Sequence, residues 1–180
     1  PGMCRESTNW WLEEPGGARK PTWDIASTAM IGERKGIILV EAKAHSTEPS
    51  ELGKTLGSKE NEGSIRAAIC QANAGLGGAQ AGWNLTTDSH YQLCNRFAWS
   101  WKIASFGVPV ILVYLGFLNT EEMSDIGQPF RSAIEWSDVI RSHADRILPS
   151  TAWESPMDVD GASMRAIIKA VDLNWSVDSY

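Results

Sequence analysis

Cysteine is scarce and unpatterned. The 180 residues hold three, Cys4, Cys70 and Cys94, with no C-x-x-C pair among them. An odd number at wide spacing argues against a disulfide framework, and unpaired thiols give a zinc site no ligand set. Reduced, mostly buried thiols of a cytoplasmic protein are the expectation. His45, His90 and His143 show no metal-ligand spacing either. Long apolar runs are missing too. The most apolar stretch, 108–118, is strand-length, short of the roughly 18 residues that span a bilayer. The opening residues are polar, with Arg5, Glu6 and Asn9, and carry no signal-peptide pattern. No membrane partner is expected. Positive charge is in deficit: 16 Lys and Arg face 22 Asp and Glu, a formal net charge of −6. That counts against nucleic acid as a partner, because phosphate binding is driven by Lys and Arg, but a local basic groove can coexist with an acidic remainder.

What is present is ordinary globular material, enough for one domain with a real core. Nine tryptophans are the exception. Most should pack in the core, and one exposed beside a groove could stack on bases. Ser7 is placed to cap a short helix running through Trp10, Trp11 and Leu12 to Glu14. Residues 22–31 and 37–44 read as strands, and the polar, glycine-flanked 32–36 between them as a hairpin turn. Residues 45–62 read as a long loop. Ile65, Ala68, Ile69 and Ala72 follow helical spacing, which the Gly75-Leu76-Gly77-Gly78 run should end. A second helix is expected over 88–105, with Gly107 closing it, and then a buried strand over 108–118. Beyond Thr120 the pattern reads as helices over 130–148 and 162–173. The expected fold class is therefore α/β, a central mixed sheet flanked by helices. It forms one domain over 1–180, with a core about 7–118 and a helical C-terminal part about 119–180.

The chemistry concentrates in two segments. Pro21-Thr22-Trp23-Asp24 opens the first strand, and Gly36-Ile37-Ile38-Leu39-Val40-Glu41-Ala42-Lys43 forms the second. Residues i and i+2 of a strand share a face, so Glu41 and Lys43 point the same way. A hairpin would bring Asp24 beside them. Two hard oxygen ligands suit Mg²⁺, and an adjacent lysine can hold or deprotonate a water.

This constellation resembles the PD-(D/E)XK nuclease superfamily, with its restriction-endonuclease-like fold. Asp24 matches the first acid, Glu41 the second and Lys43 the lysine, while the proline is displaced to Pro21. On the helix before the buried strand, Gln92 matches the glutamine of the Q-x-x-x-Y motif of exonuclease-like branches, and Arg96 replaces its tyrosine. The resemblance covers about residues 20–118. It implies phosphodiester hydrolysis with Mg²⁺ or Mn²⁺ on Asp24 and Glu41, nucleic acid as partner, DNA first, and a homodimer left open. Gln92 would orient the metal site or the scissile phosphate. Arg96 and His45 would contact substrate, in a basic groove with Lys43, Lys54, Lys59 and Arg66. Glu13 or Glu14 could add an upstream acid. A non-catalytic binding or assembly module on the same fold is the alternative. Lys43→Ala is expected to abolish cleavage and leave the fold intact, because Lys43 sits at a strand end.

Other motifs fall short. Gly53-Lys54-Thr55 lacks the first P-loop glycine, since position 48 is Glu48. Gly75-Leu76-Gly77-Gly78 has Gln80 where a dinucleotide fingerprint needs its third glycine, and no G-x-S-x-G elbow occurs.

Overall fold

The computed structural model describes residues 2–12, 20–47 and 59–172. The fold is α/β, a five-stranded mixed sheet flanked by four helices. The elements run α1 (Gly2–Trp11), β1 (Ile25–Ile31), β2 (Arg34–Lys43), α2 (Lys59–Ala79), α3 (Tyr91–Ala104), β3 (Val110–Leu118), α4 (Ala133–Ala144), β4 (Met157–Val159) and β5 (Ala162–Asp172). The sheet order is β1-β2-β3-β5-β4. β2, β3 and β5 are parallel, and β1 and β4 close the two edges antiparallel.

The expected hairpin forms, with a tighter turn. Ile31 pairs with Arg34 across Gly32 and Glu33, and Gly32 takes φ +61°, a conformation that two-residue hairpins favour and L side chains avoid. α3 and β3 fall where the apolar spacing put them.

Four expectations fail. α1 starts at Gly2, so Ser7 is a buried mid-helix residue and not a cap. α2 runs through Gly75, Gly77 and Gly78. Its glycines are accommodated because one of them makes room: a Cβ on Gly75 would come within 2.4 Å of the Trp101 indole. The helix over 130–148 shortens to α4. The helix over 162–173 is in fact strand β5, paired with β3 from Val110–Met164 to Leu118–Asp172. Ala, Met, Arg and Lys favour helix, but the alternation of buried Ala162, Met164 and Ala166 with exposed Ser163 and Arg165 is the period of a strand. Asp160-Gly161, both at positive φ, make the turn into it from β4. Glu13, Glu14 and Lys54 lie outside the described residues.

The core lies between the helices and one face of the sheet. That face carries Leu39 of β2, Val110, Leu112 and Tyr114 of β3, and Met164 and Ala166 of β5. α3 supplies Leu93, Phe97 and Trp101, and α4 supplies Trp136 and Ile140. The tryptophans are mainly packing groups: Trp10, Trp11 and Trp99 meet with ring centroids 5.6–6.0 Å apart, tying α1 to α3.

Candidate active site

β2 ends where its apolar run gives way to Glu41, Ala42 and Lys43. Leu39, Glu41 and Lys43 alternate onto the core face, so the strand carries an acid and an ammonium into the interior: Glu41 is 2% exposed and Lys43 9%. Such charges require partners at close range. Lys43 Nζ donates to Glu41 Oε1 at 2.5 Å, and Arg96 Nε donates to Glu41 Oε2 at 2.5 Å. Both carboxylate oxygens are thus engaged.

Arg96 comes from α3. It is 5% exposed, not part of a solvated helix face. Its remaining nitrogens donate to Asn95 Oδ1 at 2.9 Å and to the Thr22 carbonyl at 2.9 Å. Its guanidinium carbon lies 4.7 Å from the centre of the Trp23 ring, a cation–π arrangement. Arg96 thereby ties three segments together: the lead-in to β1, the end of β2 and the middle of α3.

Asp24 sits where the hairpin should put it. Its N–H donates to the Val40 carbonyl at 3.2 Å, level with the Val40–Glu41 peptide. Its Oδ2 accepts the Ala42 N–H at 2.7 Å. The side chain is exposed, so Oδ1 is available to solvent or a ligand. Gln92, half-buried, lies one turn before Arg96. His45 is buried, with Nδ1 2.8 Å from Thr47 Oγ1 and its ring against Gly127. Its ring does not face solvent. Of the cations expected in a basic groove, Lys43 and Arg96 are directed at Glu41, and exposed Arg66 of α2 pairs with Glu62 and Asp88. Lys59 is exposed at the start of α2. Lys43 is also no simple strand-end residue, because its burial couples it to the ion-pair network.

Three further side chains border the cluster. Tyr114 of β3 is level with Glu41 in the parallel register. Its buried hydroxyl has no hydrogen-bond partner among the described residues, and burial, then the Glu41 charge, pushes its pKa well up. His90 precedes α3 in a left-handed conformation, φ 54°. Its ring lies 4.5 Å, centroid to centroid, from that of His143 near the end of α4. Burial, then the charges of His90 and Lys43, lowers the His143 pKa to about 4. Neither histidine nor Tyr114 was marked as a candidate in the sequence. Tyr114 breaks an apolar run, which is a signal, but its partner depends on strand register.

The cluster lies at the carboxyl end of β2, where open α/β sheets place ligand sites. Among the described residues no group of three or more His, Cys, Asp or Glu is arranged to hold a metal. Asp24 and Glu41 are therefore the acid pair to test. No helix of the described residues is long and apolar enough to cross a membrane. Comparison with protein-family models, with curated proteins and with solved structures finds no match.

Proposed function

We propose that this chain is a Mg²⁺- or Mn²⁺-dependent nuclease of the restriction-endonuclease-like class that hydrolyses phosphodiester bonds in DNA. The observation that carries the reading is the placement of Asp24, one residue before β1, against the Glu41–Lys43 end of β2, which gathers two acids and an ammonium at one strand end. This donor chemistry fits a hard divalent cation, which is commonly held by one or two carboxylates and keeps several waters. Asp24 and Glu41 would hold it. When bound, such an ion polarises a phosphate oxygen and acidifies a coordinated water. Lys43 would orient the attacking water and offset the negative charge that builds on the phosphate. Glu41, whose two oxygens accept from Lys43 and Arg96, would offer a remaining lone pair to the ion, with Arg96 fixing its position from within.

A second reading has one observation in its favour. Arg96 engages the Glu41 carboxylate on the side opposite Lys43, which an inert module could use as an internal strut. This is the non-catalytic binding or assembly module.

Cleavage of labelled single- and double-stranded DNA and of RNA, with Mg²⁺, Mn²⁺ or EDTA, separates the two. Asp24→Asn is the informative variant, since asparagine keeps an oxygen for the Ala42 N–H and loses the charge. The expected result is metal-dependent cleavage that falls at least about 100-fold in Asp24→Asn, with an unchanged unfolding midpoint. Cleavage that ignores EDTA or this substitution refutes the mechanism. Absence of cleavage on every substrate moves the assignment to the binding module.

A further inference from the structure

The two edges of the sheet are built differently. β4 closes one edge with three residues, Met157–Val159, and carries exposed Asp158. Short length and an edge charge are common protections against pairing with another chain. β1 closes the other edge with seven residues, Ile25–Ile31, and has neither protection. Its sequence, Ile-Ala-Ser-Thr-Ala-Met-Ile, holds no charge and no proline. No bulge interrupts its register against β2. Five of the seven side chains are exposed, Ile25 at 51% and Met30 at 66% among them, so β1 leans on little besides its ladder to β2. Among the described residues no strand pairs with its outer side. Alternate residues of such an edge point their N–H and C=O groups outward, a template for one more strand.

The sequence of the strand selects the occupant, because it matches its own reverse. Set antiparallel to a second copy and centred on Thr28, Ile25 meets Ile31, Ala26 meets Met30, Ser27 meets Ala29 and Thr28 meets Thr28. Residues paired in this way share a face. Two isoleucine pairs then form on one face, and long Met30 lies against small Ala26 on the other. The charges at the two ends agree with this direction. Asp24 precedes the strand, and the turn beyond it carries exposed Glu33, Arg34 and Lys35, net positive. Antiparallel pairing brings Asp24 level with Gly32, where the other copy's turn begins; parallel pairing would set Asp24 against Asp24. A two-fold contact needs a self-complementary patch, and an unrelated strand would not require one. We infer that two copies of this chain join β1 to β1, antiparallel about Thr28, into one continuous sheet. About seven main-chain hydrogen bonds would link the seven residue pairs, and such bonds carry the affinity of strand addition. The contact is small beside an obligate interface, so the dimer is concentration-dependent. It stops at two copies, because the edges left over are the short, charged β4 strands. The Glu41–Lys43 cluster takes no part, so the inference stands apart from the proposed nuclease site.

The test is sedimentation equilibrium of the full chain over a hundredfold range of concentration. The expected result is a monomer–dimer equilibrium with no larger species, and no weakening in added salt, since the paired strands carry no charge. Thr28→Lys and Thr28→Glu each set like charges opposite one another at the two-fold axis and should weaken the dimer by about fivefold or more. Thr28 is exposed, and circular dichroism checks that both variants keep the fold. Mixing the two variants should restore association, because position 28 of one copy then faces the opposite charge on the other, and salt should weaken this mixed dimer. That rescue fixes both the partner and the register. A chain that stays monomeric throughout overturns the inference and leaves the edge to a strand of another protein. A dimer indifferent to both substitutions, or one that mixing does not restore, overturns it in favour of a different surface. Open-ended growth beyond two copies overturns the closed pairing.

Discussion

Arg96→Met removes one of the two cations that hold the Glu41 carboxylate. Methionine preserves much of the side chain's apolar volume, so the loss isolates charge and hydrogen bonding. The carboxylate is 2% exposed and cannot recover the lost donor from bulk water. It keeps Lys43, but the Thr22 carbonyl and Asn95 lose the guanidinium, and Trp23 loses its cation. Because Lys43 still compensates the carboxylate, the loss is that of a charge-assisted hydrogen bond, about 1.5–3 kcal/mol. With a urea slope of about 2 kcal/mol/M, the unfolding midpoint should fall by about 1 M. A double variant, Glu41→Gln/Arg96→Met, strips the buried Lys43 ammonium of its carboxylate and should be no more stable than Arg96→Met, since a buried charge without its partner is the costly case. As a contrast, Arg66→Met disrupts ion pairs whose members are about half exposed or more, and its midpoint should match wild type, because exposed pairs contribute little. A loss below about 1 kcal/mol in Arg96→Met would refute the reasoning. It would mean that the network is solvated in solution and that Arg96 does not fix Glu41.

Stability should fall with acid through His143. Its folded pKa of about 4 lies below its ordinary value of 6.5, so between these pH values the unfolded chain binds more protons, and stability drops as pH falls through that window. His143→Gln should flatten the urea-midpoint profile between pH 6.5 and 4; an unchanged slope would contradict the assignment. Tyr114→Phe removes a buried hydroxyl with no partner among the described residues and should stabilise the fold by up to about 1–2 kcal/mol. A destabilisation of that size would instead reveal a partner for the hydroxyl. Glycine substitutions in α2 should split by environment. Gly63→Ala meets open space and should gain about 0.5–1 kcal/mol of helix propensity. Gly75→Ala would drive a Cβ into the Trp101 indole and should cost about 1–3 kcal/mol. Thermal melts of the pair check both signs.

Where chemistry is local, the residues announce themselves. Alternation along β2 placed Glu41 and Lys43 on one face, and a glycine-flanked turn brought Asp24 beside them, because a strand's period and a short hairpin need no distant information. Two of the failures were also legible in hindsight. The Asp160-Gly161 turn and the alternation after it mark β5, but helix-favouring Ala, Met, Arg and Lys masked a period of two. Glycines in α2 resemble a breaker until Trp101, 26 positions beyond Gly75, supplies the reason for one of them. Arg96 could be assigned to a helix from its neighbours, but not to Glu41, which is 55 residues away. Tyr114 comes level with Glu41 only through parallel register, and His90 meets His143 only because α3 and α4 pack on the same sheet face. The sequence by itself determined the α/β class, the hairpin and the acid–lysine strand end, since these follow from backbone periodicity and turn chemistry. Tertiary structure alone decided that Glu41 is buried between two cations and that α3 and α4 pack on the same face of the sheet. Burial and charge pairing depend on which distant segments share a small volume, and no local pattern encodes that.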